Sequence, residues 1–255
     1  MRPVALVTGA ARGIGRGCAV RLARSGFDVT LVDRDGADLL AEVAGEIAAL
    51  GGSAFEWTAD VADLATHAGI VHATVDRWGR LDCVVNNAGV GVLRRGDLLD
   101  VTPESFDRCI AVNTRAVFFL CQAAGRYMLR QGEVGGQHRS IINITSSNAV
   151  AVSVSRGEYC VSKTASSMIT KLFGLRLAAD GIGVYEVRPG VIETGMTIPV
   201  KADYDARIAA GLVPAMRWGY PADVAETVAM MAEGRMPYTV GQAVSVDGGL
   251  ITPRF

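Results

Sequence analysis

Val4-Ala5-Leu6-Val7 runs without a break into Thr8-Gly9-Ala10-Ala11-Arg12-Gly13-Ile14-Gly15, and a helix-period pattern begins immediately behind it. A short apolar strand, a glycine-rich turn and a helix start, in that order, decide the fold class. Glycines in such a turn let it close tightly. They also let the main chain approach a pyrophosphate at the helix N-terminus, where free N–H groups and the helix dipole favour anions. The spacing is GxxxGxG rather than GxGxxG, so the generic dinucleotide fingerprint does not fit. A Walker lysine is missing too, because Ser162-Lys163-Thr164 has no glycine before it.

Outward from this loop, β-rich runs alternate with helical patterns nearly to the end of the chain. Val4–Val7, Val29–Val32, Ala54–Trp57, Cys83–Val85, Ile141–Ile144, Val184–Val187 and Ala243–Val246 are expected strands, most of them continuously apolar as in a parallel sheet covered on both faces. Helical patterns lie near 13–24, 37–50, 63–78, 103–131, 159–180 and 221–233, several closed by a glycine such as Gly26, Gly51 or Gly181. The expectation is a single α/β domain spanning 1–255, a Rossmann-type doubly wound parallel sheet of about seven strands with helices on both faces. Its ligands would sit at the carboxyl ends of the strands. Segment 193–220, with Pro199, Pro214 and Gly219, interrupts the alternation and reads either as a lid over the site or as a plain surface excursion.

Composition narrows the function classes. Of 255 residues, half are apolar and 30 are glycine, so a substantial core is expected and disorder is not. A net charge of −1 and the absence of any long Lys/Arg run argue against nucleic acid as a partner. No stretch approaches the ~18 uninterrupted apolar residues of a membrane span, and with a strand so near the N-terminus no signal peptide is expected. Cys18, Cys83, Cys109, Cys121 and Cys160 form no CxxC and read as reduced core residues of a cytoplasmic protein. His67, His72 and His138 form no ligand cluster, so no metal is expected, and all three are expected at the surface.

Asp33 closes the second strand, where a carboxylate accepts both hydroxyls of an adenosine ribose; the plainer reading is a helix cap, a role Asp35 would fill equally well. A carboxylate there repels a 2′-phosphate and favours NAD. Arg12 and Arg34 lie close enough to offer that phosphate a counter-charge, so NADP stays open. Tyr159 and Lys163 stand at i and i+4 on one helical face. A phenol with pKa near ~10 shuttles protons poorly at neutral pH, and an ammonium one turn away favours the phenolate.

Thr8-Gly9-xxx-Gly13-x-Gly15, Asp60-Val61, Asn86-Asn87-Ala88-Gly89, Asn113, Ser146, Tyr159-xxx-Lys163, Pro189-Gly190 and Val246-Asp247-Gly248-Gly249 follow one another in order. Over nearly the whole chain this resembles the short-chain dehydrogenase/reductase family, and most nearly its 3-oxoacyl-acyl-carrier-protein reductase-like members. The resemblance implies that Tyr159 is the general acid/base and that Ser146 polarises the substrate oxygen. Lys163 would bind the nicotinamide ribose and lower the tyrosine pKa, and Asn113 would hold a water of a proton relay. Asp60 and Val61 would contact the adenine, and Asn87, Ala88 and Gly89 would line the cofactor cleft. Pro189, Gly190, Ile192 and Thr194 would receive the carboxamide end. Helices in 103–131 and 159–180 resemble those through which the family forms homodimers and homotetramers.

The implied reaction is hydride transfer between a nicotinamide and a carbonyl carbon of a small-molecule substrate. In carrier-reading members, arginines dock the acidic partner where this chain has Gln137 and Asp180, although Arg139 and Arg176 stand nearby. Arg156 and Glu158 beside Tyr159 suit a hydroxylated substrate, such as a polyol or sugar, or else anchor the loop. Trp218 and Met196 read as pocket walls or ordinary core, and the purpose of 130–139 is not readable. Three readings therefore stand: a polyol or sugar-type oxidoreductase, an acyl-carrier reductase, and a nucleotide-sensing protein without turnover.

Overall fold

Seven short runs pair side by side in the computed structural model, which describes residues 1–254 apart from the side chain of Pro199. The expected span of 1–255 ends on Phe255, which lies outside the described residues. The strands are β1 (Val4–Thr8), β2 (Asp28–Asp33), β3 (Ala54–Thr58), β4 (Cys83–Asn86), β5 (Arg139–Ile144), β6 (Ile182–Pro189) and β7 (Ala243–Val246). Every pairing is parallel, in the order β3-β2-β1-β4-β5-β6-β7. Successive connections run outward in opposite directions from β1 and β4, so a crevice opens between their carboxyl ends.

Helices cover both faces, as a parallel sheet requires. On one face α1 (Gly13–Arg24), α2 (Ala37–Ala49) and α8 (Pro221–Ala232) pack over Val7, Val29, Leu31 and Val85. On the other, α3 (Thr66–Trp78), α5 (Val117–Gln131) and α6 (Gly157–Leu177) cover Leu6, Val32, Val84, Ile141 and Val184. Each such side chain taken fully from water contributes about 1.5–3 kcal/mol before entropy is counted. β3 departs from the expected buried strand: Glu56, Trp57 and Thr58 are exposed, because β3 is an edge with a neighbour on one side alone.

One expected helix differs in detail, and one helix is new. The 103–131 pattern breaks into α4 (Pro103–Ile110), a wider π-helical turn over Ala111–Ala116, and α5. Within 193–220 a further helix forms, α7 (Lys201–Ala209), absent from the sequence reading. It encloses a small core of its own, in which Tyr204, Ile208, Val213 and Trp218 pack together beside the main sheet. Trp218 is therefore core rather than pocket wall. The 130–139 connection sits at the far end of the sheet from the crevice. Arg80 donates to the Val134 carbonyl (3.1 Å) and the Gln131 side chain pairs with the Leu81 main chain (2.8 and 3.2 Å).

No helix among the described residues is long and apolar enough to cross a membrane.

Candidate active site

The turn from β1 to α1 adopts the shape its glycines allow. Gly9 has φ +65°, and a Cβ there would stand 2.8 Å from Asn87 Nδ2. A Cβ on Gly15 would drive into the Gly9 carbonyl, so the loop closes over α1 only without a side chain at that point. Asn87 locks the arrangement by donating to the carbonyls of Thr8 (2.9 Å) and Gly9 (3.1 Å). The Thr8 hydroxyl accepts in turn from the Asn87 and Ala88 amides (3.1 Å each). Arg12, at the N-cap of α1, makes no capping bond, and the first turn carries no acid. An uncapped helix start beside glycines at a positive φ fits a pyrophosphate.

A cleft of ≈ 790 Å³ extends from this turn. It is bordered at one end by Gly9, Arg12, Gly13, Ile14, Asp33, Arg34, Asp60 and Val61, then by Asn87, Ala88 and Gly89. The other end carries Ser146, Tyr159, Lys163, Pro189, Gly190, Ile192 and Thr194. Of the catalytic and cofactor-binding residues that the resemblance implies, Gly15 and Asn113 alone stay behind the cleft wall. Asp33 Oδ2 accepts from the Ala11 amide (3.1 Å) and Oδ1 from the Arg34 amide (2.9 Å), which fixes the carboxylate at the strand end. It does not cap α2, whose N-cap is Gly36. The expected counter-charge from Arg34 is largely spent, since its guanidinium pairs with Asp35 at 2.9 Å.

Asn113 lies on the π turn, a device that re-aims side chains at functional positions. Its side chain clasps Val90 through both main-chain polar groups (2.9 Å each) and donates to Ser162 Oγ (3.0 Å). Gly89 permits this approach: a Cβ there would meet Asn113 Oδ1 at 3.2 Å and Lys163 Nζ at 3.5 Å. Lys163 is buried and donates to the Ile144 carbonyl at the end of β5 (3.0 Å). Its ammonium stands 5.8 Å from the centre of the Tyr159 ring.

Burial lowers the Lys163 pKa from its ordinary value to about 8. Burial also raises the Tyr159 phenol, against the Ser146 hydroxyl and the Arg156 charge, which both pull it down. The lysine therefore does not by itself make the phenol acidic here; desolvation dominates. Thr145 turns its hydroxyl to Glu186 (2.6 Å), whereas Ser146 Oγ accepts from the Asn148 amide (3.1 Å) and keeps its own O–H to donate.

One expectation needs correction, and two alternatives left open by the sequence are decided. His67 is buried rather than exposed, and its Nε2 meets the Val61 carbonyl at 2.7 Å, steadying the loop at the Asp60 end of the cleft. His138 is half-buried against Tyr185, and His72 is exposed as expected. Glu158 does not reach the cleft; it is buried and accepts from Ser105 on α4 (2.6 Å). Arg139 is buried too, donating to the carbonyls of Met128 (2.8 Å) and Asp180 (2.6 Å), so it is no substitute for a docking arginine. No group of three His, Cys, Asp or Glu is placed to hold a metal among the described residues.

Residues 9–251 match the family model described as Enoyl-(Acyl carrier protein) reductase. The 3-oxoacyl-[acyl-carrier protein] reductase from Brucella melitensis, solved in complex with NAD, superposes with a TM-score of 0.96. It is 44% identical, with 100% of this chain and 99% of that one covered. A putative 2-deoxy-d-gluconate 3-dehydrogenase from Agrobacterium tumefaciens with bound NADP is 33% identical, with a TM-score of 0.86, over 98% of this chain and 97% of that one. Among curated proteins, the 2-dehydro-3-deoxy-D-gluconate 5-dehydrogenase of Dickeya dadantii (strain 3937) is 33% identical over 249 residues, 96% of this chain and 94% of that protein. With the ordered motifs and the parallel sheet, these matches leave one conclusion: the chain belongs to the short-chain dehydrogenase/reductase family of NAD(P)-dependent oxidoreductases.

Proposed function

We propose that this protein interconverts a secondary alcohol and a carbonyl on a small polar, polyol or sugar-like substrate, with NAD as the preferred cofactor. The observation that carries this reading is the single cleft that holds Asp33 and the glycine turn at one end and Ser146, Tyr159 and Lys163 at the other. The bound nicotinamide supplies or takes up the hydride. Ser146 donates to the substrate oxygen, and Tyr159 gives that oxygen a proton or takes one from it. The Lys163 ammonium stabilises the phenolate, which the burial of Tyr159 otherwise opposes, and holds the ribose. Asn113 supports a water that links Lys163 to solvent.

In the cofactor half, Asp33 takes the ribose hydroxyls and Asp60 and Val61 flank the adenine. Pro189, Gly190, Ile192 and Thr194 receive the carboxamide. The paired state of Arg34 supports NAD over NADP. The chain acts as one domain, and 193–220 serves as its lid: Met196 and Tyr204 line the cleft, and Tyr204 is also part of the small core with Ile208, Val213 and Trp218.

The exposed apolar residues Phe119, Val161, Met168, Leu172 and Leu175 on α5 and α6 support a homodimer or homotetramer, which gel filtration checks. Free cysteines throughout support a cytoplasmic enzyme.

The 44% identity to the Brucella reductase favours a second reading, 3-oxoacyl-carrier reduction. Against it stand Gln137 and Asp180, the buried Arg139, and Arg176 already paired with Asp180 (3.0 Å). Following reduced-nicotinamide absorbance against polyols, sugars, keto-esters and acetoacetyl thioesters decides. Strong thioester turnover with NADPH overturns the first reading, and NADH binding without any turnover favours a nucleotide-sensing role.

A further inference from the structure

The cleft is charged oppositely at its two ends. Its carboxylates, Asp33, Asp35 and Asp60, all border the adenosine end, where they outnumber Arg12 and Arg34. Around Tyr159 no Asp or Glu lines it among the described residues, and Arg95, Arg108, Arg156 and Arg207 do. Most of these guanidiniums have other duties or lie open to water. Arg108 donates to the Gly91 carbonyl (2.9 Å), Arg207 pairs with Asp203 on its own helix (3.5 Å), and Arg95 is exposed.

Arg156 is different. It is held where a 3₁₀ turn meets the start of α6, and its guanidinium carbon lies 5.8 Å from the centre of the Tyr159 ring. Its one side-chain hydrogen bond is long, 3.4 Å to the Tyr204 hydroxyl. Its Nε is buried and has no partner. No carboxylate among the described residues pairs with it: Glu158, two residues on, turns Oε1 to Ser105, and its buried Oε2 has no partner either. A guanidinium with a buried, unpartnered Nε–H is costly unless an acceptor arrives with the ligand.

We propose that Arg156 receives a carboxylate of the substrate, so that the enzyme acts on a hydroxy or oxo acid whose carboxylate lies a few bonds from the reacting carbon. The planar edge of Arg156, with the Tyr204 hydroxyl alongside, matches two carboxylate oxygens. A phosphate ester brings a third oxygen and further charge; with Arg207 paired to Asp203 and Arg108 tied to the Gly91 carbonyl, the solvent-exposed Arg95 is left to meet them, which favours a carboxylate. The inference rests on the oxidoreductase reading and adds to it the substrate's charge and the residue that reads it. It also assigns a purpose to the charge difference along the cleft: the acidic end excludes a 2′-phosphate, and the cationic end admits an acid.

The test compares NAD-linked kcat/KM for a polyhydroxy acid, its neutral amide or polyol counterpart, and the same chain ending in phosphate. It uses the parent, R156M and R156K. The parent is expected to prefer the acid over the neutral partner by about 10- to 100-fold. R156M should collapse that ratio, chiefly through KM, and R156K should restore part of it by charge without the fork. Equal turnover of acid and neutral partner by the parent, a ratio unchanged in R156M, or preference for the phosphate overturns the proposal. In parallel, a thermal shift of the NADH-loaded protein by the acid should vanish in R156M. Binding of the acid without turnover defeats the oxidoreductase reading and leaves the anion site standing. Turnover without acid preference does the reverse, and neither turnover nor binding defeats both.

Discussion

The two ends of the cleft are built from different materials. At the end proposed for adenosine much of the surface is main chain, a turn that closes because Gly15 has no side chain and carbonyls held by Asn87, to which Asp33 adds a carboxylate fixed by two amides. At the reacting end it is side chains, with Ser146, Tyr159, Lys163 and Arg156 projecting from the end of β5 and the start of α6. A surface made of backbone tolerates almost no substitution and announces itself through glycine spacing. A surface made of side chains can change its substrate while the scaffold stays put. One end therefore declares what it binds, and the other must be read atom by atom.

Substitutions can break that contrast, and the largest effect belongs to the side-chain end. Tyr159→Phe should lower kcat by about 10³-fold or more, while the NADH dissociation constant changes far less. A parallel loss of cofactor affinity would show that the ends are not separable. At the backbone end, Gly15→Val should fail in both respects. Overpacking against the Gly9 carbonyl costs about 1–3 kcal/mol, seen as a fall of several degrees in Tm, and NADH binding should weaken at least tenfold.

Asp33→Ala sharpens the comparison further, because it removes the proposed ribose acceptor and one turn bond, from the Ala11 amide, while Asn87 still holds the Thr8 and Gly9 carbonyls. The NAD-over-NADP ratio of kcat/KM should fall by about 10- to 100-fold. Equal use of both cofactors by the parent would show that Asp33 is not selective. The smallest effect concerns Lys163, whose pKa drops from 10.5 to about 8 in the folded protein. Between those values the unfolded chain holds the proton and the folded one does not, so this group makes stability rise with pH. Measured by denaturant titration, the stability of Lys163→Met relative to the parent should decline by about 1–3 kcal/mol from pH 8 to 10.5. A flat difference contradicts the burial of the charged amine.

Much of the scaffold was legible because alternation and glycine closure are local signals. The strands and most helix limits follow from them within a few residues. What escaped depends on partners distant in sequence. β3 reads as a buried strand, yet its position at the sheet edge exposes Trp57. The 103–131 pattern is amphipathic throughout, and nothing local reveals that Asn113 must widen the helix to reach Val90. His67 reads as a surface residue because its acceptor, the Val61 carbonyl, leaves no trace in side-chain pattern. Arg156 and Glu158 look equivalent beside Tyr159 until α4 supplies Ser105 and draws one of them away.

The central claim is that Tyr159 transfers a proton on a small polar substrate while NAD carries the hydride. The most direct measurement is NAD(H)-linked turnover, followed by nicotinamide absorbance, of the parent and Tyr159→Phe against polyols, hydroxy acids and acetoacetyl thioesters. The account predicts turnover of the polyols or hydroxy acids with NAD, abolished in the variant. Thioester reduction with NADPH and no turnover of the hydroxylated substrates would contradict it, as would activity that survives the loss of the phenol.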